Sequence, residues 1–327
     1  MRLVRGLLNL SSHLQSNYCG CVATIGNFDG VHLGHQAVIG QLTEKAAELG
    51  LPATVITFEP QPQEYFAHTD VPARLTKFRE KLIALRRFAL DYLLCLRFNR
   101  QFAHWTAEEF IQRVLVDGLA VKYLVIGDDF RFGHQRRGDF DTLVQVGSRY
   151  GFKVVTMHTF DIDGERVSST RIREALARGD LAQAEKLLGR GFRLSGRVAH
   201  GDKRGRTIGF PTANVFLHRR QSPLSGVFAV EMFGLDREPV RGVANLGTRP
   251  TVDGSQPLLE VHLFDFDQDI YGRHVQVEFV KKLRDEQRFD SFEQLKQQIE
   301  RDVERARACF RGSTAGDPAP VQTTRQS

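Results

Sequence analysis

The apolar pattern of this chain changes period near residue 190, and that change narrows the possible folds more than any other feature. Before it, apolar runs of strand length at 21–25, 53–58, 92–98, 123–127 and 153–158 alternate with segments of helical period near 35–49, 76–89, 106–117 and 139–150. Parallel strands need long crossover connections, so the alternation predicts an α/β fold, a doubly wound parallel sheet covered by helices. Ligands of such sheets collect at the carboxyl ends of the strands. The helix near 106 has the best-defined start, because Thr106 and Glu109 stand at capping-box spacing.

Beyond residue 190 the pattern turns to period two, broken by Gly, Pro and Asp. Val275, Val277 and Phe279 alternate with Gln276 and Glu278, and Leu259, Val261 and Leu263 alternate with Glu260 and His262. Short alternating runs of this kind predict a small antiparallel β-barrel. A helix follows from Ser291, with Gln294 at capping-box distance; its face of Glu293, Lys296, Glu300 and Arg301 reads as a solvated surface. At 327 residues the chain exceeds what one core usually serves. The expected division is 1–185 for the α/β domain, 186–311 for the barrel and its helix, and 312–327 as a disordered tail too poor in apolar residues to order itself.

Charge and cysteine content exclude several classes. The net charge of +6 suits anionic ligands, but 45 basic residues are interleaved with 39 acidic ones, and no long Lys/Arg block marks a nucleic-acid footprint. Cys19, Cys21, Cys95 and Cys309 are too scattered for a disulfide framework, and Cys19-Gly20-Cys21 lacks neighbouring ligands for a metal. No apolar run reaches the ~18 residues of a membrane span and no signal-peptide core is evident, so a soluble cytoplasmic protein without nucleic-acid or membrane partners is expected. The sequence leaves the oligomeric state open.

Two segments of the first half carry phosphate chemistry. In Thr24-Ile25-Gly26-Asn27-Phe28-Asp29-Gly30-Val31-His32-Leu33-Gly34-His35, a strand runs into a helix. His32 and His35 share a face at helical spacing, Gly34 removes a side chain that would block a phosphate, and a helix N-terminus adds unpaired N–H groups. A zinc site would need further ligands that are not evident, and two satisfied structural histidines are the plainer alternative on this motif alone. Later, Val167-Ser168-Ser169-Thr170-Arg171-Ile172-Arg173 sets hydroxyls at a helix cap with arginines behind them, again suited to phosphate or to an ordinary cap. At the end of the fourth predicted strand, Gly127-Asp128-Asp129-Phe130-Arg131-Phe132-Gly133 offers two aromatics that would floor a flat ring system or anchor the loop in the core.

This pairing resembles the nucleotidylyltransferase superfamily, with its (H/T)xGH turn and SxTxxR-like segment, filled here by Ser168, Thr170 and Arg173. The set NFDGVHLGH, GDDFRFG and SSTRIR is similar to the FMN adenylyltransferase branch. The resemblance implies that His32 and His35 bind the ATP phosphates and stabilise transition-state charge. It gives Asn27, Gly34, Ser168, Ser169, Thr170, Arg171 and Arg173 to ATP, and Asp129, Phe130 and Phe132 to the flavin or nucleotide pocket. Positioning and electrostatics would do the catalysis. In Thr57-Phe58-Glu59-Pro60-Gln61-Pro62 the family usually has His where this chain has Gln61.

The barrel segment opens with Gly196-Arg197-Val198-Ala199-His200-Gly201-Asp202-Lys203-Arg204-Gly205-Arg206-Thr207-Ile208-Gly209-Phe210-Pro211-Thr212-Ala213-Asn214. Its glycines and cations suit a flexible loop over phosphates, though Gly-Lys-Ser/Thr of a Walker loop is absent. In extended chain Thr212 and Asn214 share a face, so a hydroxyl and an amide oxygen can meet one hard cation. Glu260 faces away from Leu259, Val261 and Leu263, either as a base in a barrel mouth or as an exposed strand glutamate.

Here the chain resembles the riboflavin kinase family through HGDKRGRTIGFPTAN, GVFAV, GVANLGTRPT, LEVHLFDFD and Leu283-Arg284-Asp285-Glu286, with Leu283 in place of the usual isoleucine. The resemblance implies that Gly201, Lys203, Gly205, Arg206, Gly209 and Pro211 bind ATP, that Thr212 and Asn214 hold Mg²⁺ with ATP, and that Glu260 is the general base. Arg284, Glu286 and Phe289 would border the flavin. Both patterns occur in one order in the bifunctional riboflavin kinase/FMN adenylyltransferase family, whose ligands are riboflavin, FMN, FAD and ATP. An adenylyl- or cytidylyltransferase for another metabolite would not need Thr212, Asn214 and Glu260, and a non-enzymatic nucleic-acid- or flavin-binding barrel would need exposed aromatics with a basic stripe.

Overall fold

The computed structural model describes residues 1–14, 18–67, 71–157, 160–199, 210–251 and 254–311. Gly201, Lys203, Gly205, Arg206 and Gly209 of the expected phosphate loop, and the expected tail 312–327, lie outside these residues. The chain forms two compact units, Met1–Ala175 with Ala182–Arg190, and Leu176–Leu181 with the chain from Gly191 onward.

The first unit is a six-stranded sheet of β1 (Arg2–Arg5), β2 (Cys21–Ile25), β3 (Ala53–Glu59), β4 (Tyr92–Arg97), β5 (Val121–Gly127) and β6 (Lys153–Met157). Its order is β1-β4-β3-β2-β5-β6, and every pair is parallel. The five expected strands are all present. The addition is the edge strand β1, whose four residues, RLVR, are too few and too charged to show a period. From β2 the chain winds outward through β3 and β4, then returns to β5 on the other side of β2. That reversal makes the gap between β2 and β5 the topological switch point, where a crevice opens at the carboxyl ends of the strands.

Alternation along the strands supplies a core on each face of the sheet. Ala23, Ile25, Ile56, Phe58, Leu94 and Ile126 pack with Phe110, Val114 and Leu143 on one face. Val22, Val55 and Leu93 pack with Ile39, Leu42 and Leu85 on the other. Full burial of such a side chain contributes about 1.5–3 kcal/mol, which is why both strand faces are apolar. The helix expected at 35–49 begins earlier, Leu33–Leu49, and ends at Gly50 in a left-handed cap, φ 63°. Phe78–Leu85 is shorter than expected, and Ala107–Phe110 passes into a π-helical turn, Ile111–Val116. The Thr106 cap is present, its side chain accepting from Glu109 N–H at 3.1 Å.

In the second unit, β9 (Arg193–Ala199), β10 (Ala213–Phe216), β11 (Gly226–Phe233), β12 (Val240–Thr251), β13 (Gly254–Leu263) and β14 (His274–Arg284) close a barrel in the order β10-β13-β12-β11-β14-β9. Strands β7 (Asp161–Ile162) and β8 (Glu165–Arg166) form a small separate hairpin that belongs to the first unit. Strand β11 is buried on both faces, because Val227 and Ala229 are covered by Ala306 and Phe310 of the Phe292–Arg311 helix. Leu283 packs against the same cluster, as an apolar replacement for isoleucine should.

An ion pair ties that helix to the barrel. Arg284 Nε and Nη2 donate to the Asp302 carboxylate at 2.9 and 2.8 Å, with Asp302 3% exposed. Removing one partner of a buried pair strands the other charge. Asp302→Ala is therefore expected to cost about 3–5 kcal/mol in unfolding free energy, read by denaturant titration.

Candidate active sites

The first site is assembled at the carboxyl end of β2 by a strained turn. Phe28 and Val31 adopt φ of 48° and 45°, and Gly30 87°. Positive φ is a genuine outlier for a β-branched residue and persists only where the surroundings impose it. Here they do. The Asp29 carboxylate, 3% exposed, accepts from Leu75 N–H at 3.1 Å and Thr76 N–H at 2.9 Å, and pairs with Arg173 Nη2 at 2.6 Å. Arg190 donates to the carbonyls of Gly30 and Val31 at 2.5 and 3.2 Å, and Gln36 Nε2 donates to Val31 O at 3.0 Å.

This turn delivers His32 as the cap of the Leu33–Leu49 helix. Its Nδ1 accepts from His35 N–H at 3.3 Å, which leaves Nε2 as the protonated nitrogen of a neutral ring. The His32 and His35 rings stack with centroids 3.6 Å apart, and Phe28 backs His35 at 5.0 Å. His35 Nδ1 is buried without a hydrogen-bond partner among the described residues. Burial lowers the His32 pKa to about 4; Asp29 opposes the shift, while Arg166, Arg190 and Arg173 reinforce it. His35 is held well below the usual value, first by burial and then by His32, Lys81 and Arg166. At neutral pH the turn therefore offers two stacked neutral imidazoles, donors that need no proton transfer.

The same shift predicts how the fold responds to acid. Between about 6.5, the ordinary histidine value, and the folded value near 4, the unfolded chain binds more protons than the folded one, so stability falls as pH drops through that window. The expected loss from His32 is on the order of 2 kcal/mol at pH 5 relative to pH 7. Thermal unfolding at the two pH values checks it against His32→Asn, which keeps a capping side chain and abolishes the titration.

The other predicted segments converge on this turn. Ser168 Oγ caps the Ser169–Arg178 helix, accepting from Arg171 N–H at 3.3 Å, and Ser169 Oγ donates to Asp29 O at 2.9 Å. A Cβ on Gly34 would lie 3.3 Å from both the His32 ring and Val167 O, so the glycine also lets the two segments close together. Thr170 is exposed at the start of that helix. Both arginines brace loops: Arg173 Nε donates to Ala73 O, and Arg171 Nη1 donates to Ile162 O and Glu165 O of the hairpin. After β5, Asp129 and Asp128 pair with Arg166 at 2.8 and 3.2 Å. The Phe130 and Phe132 rings stack at 5.4 Å; Phe132 belongs to the core against Phe110, and Phe130 is half-buried beside it. Gln61, 3% exposed, caps the Pro62–Phe66 helix and keeps Nε2 buried without a partner among the described residues.

The second site is set by barrel register. Glu260 on β13 lies directly opposite Asn214 of β10 and Asn245 of β12. Opposed residues of an antiparallel pair bring Cβ atoms to about 4.5–5.5 Å, so one carboxylate is flanked by two amides. Leu259 and Val261 are fully buried, while Glu260 and His262 share the opposite, half-buried face. His262 Nδ1 lies 2.9 Å from Pro211 O, fastening the Pro211-Thr212 approach beside Glu260. Arg284 carries the Asp302 clamp and lies 5.7 Å over the Phe289 ring, and Glu286 packs directly on Gly247.

Sequence reasoning assigned no role to Asp29, Arg166, Arg190, Lys81, Asn245 or His262. A signal existed for Lys81, which falls between Phe78, Leu82 and Leu85 on an apolar helical stripe, and for Asn245, a lone amide within an apolar strand. Arg190 had none, since it reaches the turn from 160 residues away. Cys21 is buried with its thiol pushed up to about 11, as a structural cysteine should be.

Comparison with known proteins gives concordant matches. The FAD synthetase family profile matches residues 14–171 and the riboflavin kinase profile residues 188–310. The bifunctional riboflavin kinase/FMN adenylyltransferase of Escherichia coli K12 is 55% identical over 95% of this chain and 98% of that protein. The Haemophilus influenzae protein of the same name is 53% identical over 95% and 99%. A solved Streptococcus pneumoniae structure described as a macrolide-efflux protein superposes with TM-score 0.79 at 32% identity, covering 94% of this chain and 99% of that one. Among the described residues of the present chain, no helix is long and apolar enough to cross a membrane.

Proposed function

Since this chain belongs to the bifunctional riboflavin kinase/FMN adenylyltransferase family and makes FMN from riboflavin and FAD from FMN, we propose that the two reactions divide between the two sites described above. Adenylylation belongs to the His32/His35 turn. A phosphate oxygen of FMN attacks the α-phosphorus of ATP, the bond to the β-phosphate breaks, and pyrophosphate leaves. The nucleophile is already an anion, so no base is required. His32 and His35 donate N–H groups to the charge that gathers at phosphorus, together with Asn27 and the space above Gly34. Ser168, Ser169 and Thr170 hold the outer phosphates, with Arg171 and Arg173 bracing that segment. Asp129 and Phe130 border the flavin or nucleotide, with Phe132 anchoring their loop. The observation that carries this reading is the stacked neutral pair at the switch point, one of its nitrogens buried without a hydrogen-bond partner among the described residues.

Riboflavin phosphorylation belongs to the barrel. Glu260 accepts the proton of the ribityl 5′-hydroxyl as its oxygen attacks the γ-phosphorus and ADP leaves. Arg284, Glu286 and Phe289 border the flavin, and Pro211 borders ATP. Among the described residues no cluster of three His, Cys, Asp or Glu forms a metal cage, whereas a hydroxyl and an amide oxygen suit a Mg²⁺ that arrives with ATP and keeps its waters. Thr212 and Asn214 would hold it, and it would neutralise phosphate charge. The register that sets Glu260 between two asparagines carries this reading. Four free cysteines fit a reducing compartment, and we place both reactions in the cytoplasm.

The test incubates the protein with ATP, Mg²⁺ and either riboflavin or FMN and separates the flavins. FMN from the first and FAD from the second are expected; an unchanged substrate pool in either sinks the corresponding assignment.

A further inference from the structure

Lys81 has no exposed surface at all, and burial pulls its pKa below the usual lysine value while the fields of Asp29 and Glu59 favour its ammonium form. It sits on the Phe78–Leu85 helix, where it is among the largest fully buried side chains of the protein. An ammonium has three N–H donors, and among the described residues the Lys81 ammonium makes one hydrogen bond, Nζ to Thr57 Oγ1 at 3.4 Å. The Thr57 hydroxyl donates onward to Asn27 O at 3.4 Å, at the start of the strained turn. The acids whose fields reach Lys81 are already committed elsewhere. Asp29 is held by Arg173 and two backbone N–H groups, and Glu59 by Arg74 at 2.8 Å. A buried cation so sparsely bonded costs stability, and an apolar side chain of similar volume would fit at no such cost. Positions that violate the rules of packing in this way are where function is expected.

We propose that Lys81 is a positioning residue of the adenylylation site, a positive charge inside its wall that acts through Thr57 on Asn27 and through its field on His35. The inference rests on the assignment of adenylylation to that turn. The charged and titratable groups whose fields reach the pair are Asp29 from the turn itself, Arg166 from the hairpin, Arg173 from the Ser169–Arg178 helix, Arg190 from the segment after Leu188, and Lys81, which acts on His35. Lys81 itself faces Asp29, Glu59, Arg74 and Cys95. When polyphosphate arrives its negative charge favours protonated imidazoles, and Lys81 opposes this at His35, keeping that ring a neutral donor. Burial keeps the charge from relaxing into solvent, so its effect is available in the transition state without reorganisation.

The deciding variant is Lys81→Met in the full chain. It strands no partner, since Asp29 and Glu59 retain theirs, so the unfolding midpoint should stay or rise. Riboflavin phosphorylation serves as an unaffected control. For FAD formation, kcat should fall about tenfold or more while KM for ATP stays within about threefold. The His35 ring, followed by NMR, should titrate at higher pH than in the parent. An unchanged kcat, or a lowered midpoint with an unmoved histidine titration, overturns the proposal. Should Lys81→Met fail to fold, Thr57→Val carries the test, because it preserves shape and removes the acceptor: kcat should fall by about threefold to tenfold, and parental kcat overturns the proposal. If His32→Ala also leaves FAD formation intact, the site assignment itself is wrong. If His32→Ala stops it and Lys81→Met does not, only the role of Lys81 falls.

Discussion

Replacing Glu260 by glutamine is expected to lower riboflavin phosphorylation by about 10²–10⁴-fold and to leave FAD formation from supplied FMN at the parental rate. Glutamine keeps the length of the side chain between Asn214 and Asn245, so strand pairing and substrate affinity should be little altered. What it loses is the ability to take a proton. The hydroxyl of riboflavin is a poor nucleophile until that proton moves, so the loss should appear in kcat. Initial rates with riboflavin and with FMN, measured on one preparation, give both values. A Glu260→Gln enzyme that still phosphorylates riboflavin within about threefold of the parent would show that the base lies elsewhere.

His32→Ala should do the reverse. Loss of one preorganised donor to developing charge costs about 10²–10³ in rate, so FAD formation should fall by that factor while FMN formation persists. The alanine also removes the helix cap, worth about 1 kcal/mol, so the comparison with His32→Asn separates the two effects. The asparagine caps the helix but has no Nε2–H to present, and it should be equally impaired in catalysis. Activity restored by His32→Asn would mean that the ring matters for folding and not for chemistry. Loss of both activities in a folded His32 or Glu260 variant would refute the independence of the two sites.

Much of this architecture was legible in the chain. The five expected strands of the sheet, the closure of a small barrel and the capped helix at Ser291 follow from periods and capping patterns, because those reflect local geometry and the burial of one face. The edge strand β1 escaped because four residues cannot display a period and its charged ends hide its single buried valine. The early start of the Leu33–Leu49 helix escaped because a histidine cap is not among the usual capping residues. Phe130 and Phe132 read alike in sequence, yet a difference in burial makes one core and leaves the other partly open.

The sequence by itself determined which residue types are present at each site and in what order, since spacing along a strand or helix sets which side chains share a face. Two sites could be read because each motif is short and local. What only the tertiary structure decided is what stands behind those motifs. Arg190, Arg173 and Thr76 pin the turn across 46 to 160 positions of chain. Asn245 meets Glu260 through strand pairing, and Lys81 is brought close enough for its field to reach His35. Such contacts follow from sheet order and register, which depend on the packing of the whole unit, and no local period encodes them. The turn that we assign to phosphate is written in the sequence; its strain and its neutral histidines exist only once the chain has folded.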